Sequence, residues 1–452
     1  VIENPYKEDA NNLNYNILNN AIKNKNRTVL SKTPLTTPGK EINKIYSYKN
    51  TYKELGLSQK YGIDTTYQDY YWTYADNFTF DENTGKFSLQ NPKVCKYSEC
   101  YSNLSGKYVA YYNVGRIAKS TSTLSNYTNL DIVYKLNRVD EPDVNRKKSV
   151  YYDLYIYKNI PEGAERTISI TEDNDGNSYY YRGYILDNFV NFAGMCWRIV
   201  RINGDGTTKL ILDDKATTCN SETYTGNFQY STASYGPAIE TLNDGTKVYK
   251  NIFLTHSNAL YEKLKTFQTT KLNNYLDYLS AGKWCYDDRA YSDEAGTNTL
   301  STSELDTYYK NKTKFYYAPY VRIVTKKSPS LKCEGTELSK YRDNTSMYVG
   351  TITADEEVFA GITYNIANYD NYLFNDKSIF QLWYWTLSPF YFDVYAHLNN
   401  NWYVRAAYID IYGDLYNNAV NSSFGVRPSV NLKSNIKITG GTGIQSNPYV
   451  IN

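Results

Sequence analysis

The sequence predicts an α+β protein that carries an additional N-terminal β-rich module. Three observations lead there. At 452 residues the chain is too long for one ordinary core, since domains average ~100–200 residues. From Tyr46 to Ile160 apolar and polar residues alternate as in strands. From Thr167 onward the order runs strands, helices, strands, which marks an α+β domain. The division is residues 1–44 for an N-terminal helix and linker, 45–165 for the tyrosine-rich module, and 166–452 for the large domain.

The elements follow in order. Leu13, Ile17 and Ile22 space a short helix, and Thr33-Pro34 and Thr37-Pro38-Gly39 break it; it reads equally as the stub of an anchoring helix or as a frayed terminus. Phe78-Thr79-Phe80, Lys107 to Tyr112 and Val150 to Ile156 read as strands, with a turn at Asp81 to Gly85. Beyond Pro161, Thr167 to Ile170 and Tyr179 to Leu186 are strands, and Trp197 to Ile202 turns at Asn203-Gly204 into Lys209 to Leu212. Leu260, Leu264 and Phe267, then Leu272, Tyr275, Leu276 and Leu279, step as two helix faces. Ser301 with Glu304 and Thr353 with Glu356 form capping boxes, the second helix closing at Gly361.

Composition narrows the function. Lys plus Arg (49) balances Asp plus Glu (47), so no long-range field draws the chain onto nucleic acid or an anionic membrane. No apolar run reaches the ~20 residues a membrane span needs, and Val1 opens no signal peptide; membrane contact is expected only through an anchor already removed. The aromatic residues are mainly Tyr (52) rather than Phe (15), and Tyr pairs an apolar face with a water-tolerant hydroxyl. A codon bias toward Tyr and Asn accounts for that composition equally well.

The six cysteines fall into sequence-local pairs: Cys95 with Cys100, Cys196 with Cys219, Cys285 with Cys333. Disulfides are the leading reading, ahead of buried thiols, and they imply an extracytoplasmic compartment. A metal cluster is disfavoured because His256 and His397 lie far from the cysteines. Neither histidine sits beside a nucleophile motif, and phosphate and dinucleotide loops are absent. Glu172 to Asn177 superficially resembles a calcium loop, but Thr171 stands where its first carboxylate belongs, so a hairpin turn is expected. These readings describe a protein that is not an enzyme and takes no cofactor.

The C-terminal residues carry the strongest signal. Between Phe390 and Phe424 there is no Lys, Glu, Gln or Met, and Asn, Tyr, Asp, Ala and Ser fill the stretch. Randomising Asn codons at their two adenines excludes those four residues and Trp, so Trp402 would be a fixed framework position. The same mixture serves an adaptable paratope, in which Tyr gives rigid contact area and Ser, Asn and Asp give hydrogen bonds. The competing reading is a low-charge edge of a core sheet. The binding reading selects Tyr391, Tyr395, His397, Asn399, Asn401, Trp402, Tyr403, Arg405, Tyr408, Asp410, Tyr412, Asp414, Tyr416 and Asn418, about half of them facing a ligand because strand neighbours point to opposite faces.

Four motifs support this assignment: Tyr179-Tyr180-Tyr181-Arg182-Gly183, Phe192 to Ile202, Trp385-Thr386-Leu387-Ser388-Pro389, and Phe424 to Lys433. In them the chain resembles the C-type-lectin-like variable proteins of diversity-generating retroelements and related surface proteins of gut Firmicutes. The resemblance spans roughly Thr167 to the C-terminus, with a similar N-terminal linker that makes Tyr46 to Ile160 an insertion. It implies a C-type-lectin-like domain, a strand from Phe424 to Leu432 that closes the sheet, a variable region at 390–427, and scaffold roles for Trp197, Trp385, Phe424 and Arg427. The partner would be a protein or glycan on another cell or a phage, set by the particular variant. Sulfatase-modifying enzymes share a related fold in some of these proteins, but their reactive cysteine pair is not carried over to cysteines read as disulfides. The alternatives are a calcium-dependent lectin, with Asn and Asp as ligands and Trp402 or Tyr403 stacking on a sugar, and a structural pilus or stalk subunit.

Overall fold

The computed structural model describes residues 4–23, 166–236, 259–365, 371–374, 382–395, 401–411 and 413–452, and elsewhere the backbones of individual strands. The chain forms two compact units. One comprises residues 1–45, 165–375 and 382–452; the other comprises 46–164 with 376–381.

The smaller unit is an antiparallel sheet. Its strands run in the order Lys53–Glu54, Lys147–Ile156, Tyr127–Val139, Arg116–Ser120, Tyr108–Tyr111, Tyr71–Ala75 and Lys93–Lys96, and Tyr61–Asp64 also pairs with Lys147–Ile156. Asn77–Asp81 and Lys86–Gln90 make a separate hairpin across the expected turn. Cys95 lies on the strand opposite Trp72, and its expected bond to Cys100 falls outside the described residues.

The larger unit is α+β. Its elements are α1 (Leu13–Lys23), β1 (Arg166–Asp173), β2 (Gly176–Gly183), β3 (Phe189–Phe192), β4 (Met195–Ile202), β5 (Thr208–Asp214), β6 (Ser231–Ser234), α2 (Ala259–Lys271), β7 (Trp284–Tyr286), α3 (Thr302–Lys310), β8 (Phe315–Tyr317), β9 (Thr336–Leu338), β10 (Val349–Gly350), α4 (Ala354–Phe359), β11 (Tyr384–Tyr395), β12 (Asn401–Ile409), β13 (Leu415–Ala419), β14 (Ser423–Val426), β15 (Ser429–Leu432) and β16 (Tyr449–Ile451). One sheet orders Val29–Leu30, β1, β2, β4, β5, β15 and Leu279–Ser280, with β3 pairing β4 and β16, and β10 pairing β15. A second sheet orders β6, β14, β11 and β8, then Ala290–Tyr291 and Thr299–Leu300, while β12 pairs β11 and β13 pairs β12. A third sheet pairs β7 with β9.

Local sequence explains most of these choices. The β3–β4 hairpin turns on Ala193 and Gly194, both at positive φ (53° and 72°), as a two-residue turn matched to strand twist requires. Glu172 to Asn177 is the β1–β2 hairpin turn, with Asp173 opposite Gly176. Gly204 packs so closely on that turn that an added Cβ would come within 2.2 Å of Asp173 Oδ1. Both capping boxes form, Ser301 with Glu304 on α3 and Thr353 with Glu356 on α4.

Three expectations change. The N-terminal helix is not frayed, because Leu13, Ile17, Leu18 and Ala21 are buried and Leu13 N donates to Ile436 O at 3.1 Å. Leu272 to Leu279 is not a second α-helix but a 3₁₀ segment, Asn273–Tyr278, that runs into a strand; three-residue steps suit 3₁₀ geometry in so short a piece. The closing strand is two strands. β14 belongs to the second sheet and β15 to the first, and the chain crosses between them at Arg427-Pro428, where Pro has no N–H to continue a ladder.

The residues assigned to scaffold are buried. Trp197 and Trp385 are fully buried and donate through Nε1 to Phe192 O (3.0 Å) and Ala233 O (2.9 Å). Arg427 donates through Nε to Leu212 O at 2.8 Å and lies 4.0 Å over the Phe228 ring. Arg182 caps the end of α4, donating through Nη1 to Val358 O and Phe359 O, both at 3.0 Å. Each buried guanidinium thus finds backbone carbonyls as partners, as a buried charge requires. Two disulfides, Cys196–Cys219 and Cys285–Cys333, staple this unit.

Candidate ligand-binding site

β11 is the strand that builds the candidate surface. Phe390 and Phe392 point into the core while Tyr391 and Asp393 are half-exposed between and after them, the alternation a half-buried strand requires. Tyr391 stands opposite Arg405 of β12. Its hydroxyl donates to Asn417 Oδ1 at 3.0 Å, and Arg405 Nη1 donates to the same oxygen at 3.2 Å. The Arg405 guanidinium lies 5.1 Å over the Tyr391 ring and donates from Nη2 to Val394 O at 3.2 Å.

Rings from earlier in the chain complete the face. Tyr320 meets Tyr391 edge-on at 5.1 Å, and its hydroxyl donates to Glu294 at 2.9 Å. Tyr364 stacks on Tyr416 at 5.9 Å and accepts from Asn417 Nδ2 at 2.9 Å. Lys314 pairs with Asp393 at 2.8 Å and lies 5.4 Å over Tyr391. Four tyrosines, an arginine, a lysine and an asparagine therefore form one fixed, amphipathic patch. Burial pushes the phenols of Tyr320, Tyr364 and Tyr391 up, so each keeps its proton at neutral pH and can both donate and accept.

The β12–β13 turn adds two carboxyls. Asp410 N donates to Asp414 O, and Gly413 N to Asp410 O, both at 2.9 Å. Burial, and then the neighbouring Asp410 charge, push Asp414 up to about 6. Burial also raises Asp410. Among the described residues no group of three or more His, Cys, Asp or Glu side chains could hold a metal ion.

The sequence-selected residues divide into three sets. Tyr391, Arg405, Asp410, Asn418 and Tyr416 are at least partly exposed, Tyr416 at 39%. Tyr408 and Asp414 are buried, at 6% and 7% exposure. Tyr408 stacks on Phe424 at 4.3 Å and lies 6.0 Å from Trp385, so it is part of the core. Tyr395, Asn401, Trp402 and Tyr403 lie on the β11 and β12 backbones, with Tyr395 opposite Asn401 and Asp393 opposite Tyr403; their side chains, and His397, Asn399 and Tyr412, fall outside the described residues. His256 does too.

Sequence reasoning missed Tyr320, Tyr364 and Asn417. The first two join the patch only through folding, from segments far upstream of β11, and no local pattern announces them. Asn417 is next to a selected residue, and only its three hydrogen-bonding partners reveal it. No protein-family model matches the chain, and neither a curated protein nor a solved structure matches it.

Proposed function

We propose that the chain is a secreted or cell-surface binding protein, not an enzyme, and that the patch around Tyr391, Arg405 and Tyr416 contacts its ligand. One observation carries the reading: β11–β13 leave Tyr391, Arg405, Tyr416 and Asn418 at least partly exposed, while Phe390, Phe392, Tyr408 and Leu415 of the same strands are buried. Recognition and folding are thereby divided between different side chains of the same strands. Tyr and Arg are the residues in which interface energy concentrates, and rings held by one another lose little freedom on binding.

The finer reading is a C-type-lectin-like domain whose segment 390–427 varies between copies, with a protein or glycan on another cell or a phage as partner. The two disulfides favour an oxidising compartment, and no helix among the described residues is long and apolar enough to cross a membrane. The test is binding of the purified chain to a panel of bacterial cells and phage particles. Arg405→Ala and Tyr416→Ser should each weaken binding about 30-fold, the equivalent of ~2 kcal/mol. Binding that neither substitution changes overturns the assignment, and binding abolished by chelation would favour a calcium-dependent lectin.

A further inference from the structure

One side chain of the tyrosine patch touches three others and is itself closed to solvent. Asn417 of β13 is 3% exposed, yet it bonds to Tyr391 of β11, Arg405 of β12 and Tyr364. Tyr364 reaches it because residues 363–365 run beside the start of β13, where Leu415 N donates to Thr363 O at 3.0 Å and Asn365 N to Leu415 O at 2.9 Å. So enclosed a residue offers a ligand almost no surface, but it decides what its three partners present.

Arg405 fixes the orientation of the carboxamide. A guanidinium has donors only, so the oxygen of Asn417 faces it at 3.2 Å, and the nitrogen faces Tyr364 at 2.9 Å. The two hydroxyls then have no choice. Asn417 Oδ1 only accepts, so the 3.0 Å bond uses the Tyr391 proton. Asn417 Nδ2 only donates, so the Tyr364 oxygen accepts and its proton is kept for another partner. Burial raises both phenols, so neither proton is lost near neutral pH. Both tyrosines are half-buried, which leaves part of each ring open to a ligand.

We infer that Asn417 is a positioning residue that sets the hydrogen-bonding polarity of the patch, leaving Tyr391 as an acceptor and Tyr364 as a donor toward a ligand. The inference rests on the reading of this patch as the binding surface. It names the chemistry of the ligand group as an uncharged one that both donates and accepts, a hydroxyl or an amide. A carboxylate or phosphate satisfies Tyr364 and leaves Tyr391 without a donor; an ammonium or guanidinium does the reverse. Holding the pattern in place before the ligand arrives lowers the ordering cost of binding.

The experiment is a double-mutant cycle on the full chain, with the cell or phage preparation that the parent binds as the probe. In Asn417→Asp the carboxylate accepts from Arg405, Tyr391 and Tyr364 alike, so the fold keeps its contacts while Tyr364 turns its proton inward and ceases to donate. Tyr364→Phe removes the same donor without adding charge. Each should weaken binding about tenfold, and the double variant should bind no more than about twofold more weakly than the weaker single, because both remove one interaction. Melting temperatures report whether each variant is folded. If Asn417→Asp does not fold, Tyr364→Phe and Tyr391→Phe carry the test, each with the same tenfold loss expected. Losses that multiply to about a hundredfold in the double variant would mean that charge or packing at residue 417, not polarity, is responsible, and folded single variants that bind like the parent would overturn the inference as well. Arg405→Ala and Tyr416→Ser separate the two levels: if they weaken binding while these variants do not, the inference fails and the binding surface stands. A parent that binds no member of the panel, or binding that Arg405→Ala and Tyr416→Ser leave unchanged, removes both.

Discussion

Replacing Trp385 by Ala tests whether the motif around it is framework. The indole is fully buried, packs against Phe424 at 4.7 Å and Tyr235 at 5.4 Å, and donates to Ala233 O at 2.9 Å. Truncating a buried Trp costs about 3–5 kcal/mol. The stranded Ala233 carbonyl adds about 1 kcal/mol or more, so roughly 5 kcal/mol is the central expectation. For a unit of roughly 330 residues the unfolding entropy is about 0.7 kcal/mol/K, which converts that loss to a melting-temperature drop of about 7 °C. Trp385→Phe keeps most of the ring contacts and should fall by about half as much. Scanning calorimetry resolves both shifts. A Trp385→Ala protein that melted within 1–2 °C of the parent yet lost binding would show that framework and site have been exchanged.

Two further outcomes follow from the larger unit. Mass mapping without reductant should recover Cys196–Cys219 and Cys285–Cys333, and replacing the second pair by Ser should cost about 4 kcal/mol, from the closure entropy of its 48-residue separation; free thiols at these positions would contradict both the pairing and the case for export. Burial pushes the Glu357 carboxyl up to about 8, against the opposing effects of Arg427 and a 2.9 Å hydrogen bond from Tyr384. The folded state therefore holds a proton that the unfolded chain releases near pH ~4.3, so this contribution is present below that pH and is lost as pH rises toward 8. Melting temperatures measured from pH 5 to 9 should fall in the parent more steeply than in Glu357→Gln, and parallel curves would refute the assignment.

Periodicity and turn chemistry made much of the larger unit legible. The turn at Glu172 to Asn177 and both capping boxes are short-range signals, and the chain adopts them; the turn read at Asn203-Gly204 widens to Asn203 to Thr207, with Gly206 rather than Gly204 at positive φ. What lay beyond reading was contextual. Pro428 looks like a residue within one strand until it is seen that Ser429 pairs with Ile211 in the first sheet while Phe424 pairs with Ala233 in the second. The same holds at the surface. The window from Phe390 to Phe424 was visible as a composition change, but which residues face outward depends on register shifts between Trp385, Pro389 and Tyr391, and these place Tyr408 inside. The buried ion pairs of Glu356 with Arg201 and Lys209 were invisible because the three residues belong to separate elements and show no joint motif.

The central claim is that the exposed side chains of β11–β13 bind while the buried ones hold the fold, and the most direct measurement changes the exposed ones alone. In the full chain, Tyr391, Arg405, Tyr416 and Asn418 are replaced together by Ser or Ala, and the melting temperature and binding to cell and phage targets are measured on the same preparation. Surface substitutions cost about 0.5 kcal/mol each, so melting should stay within about 3 °C while binding is lost. Unfolding of the variant, or binding that persists in a folded one, would contradict the account.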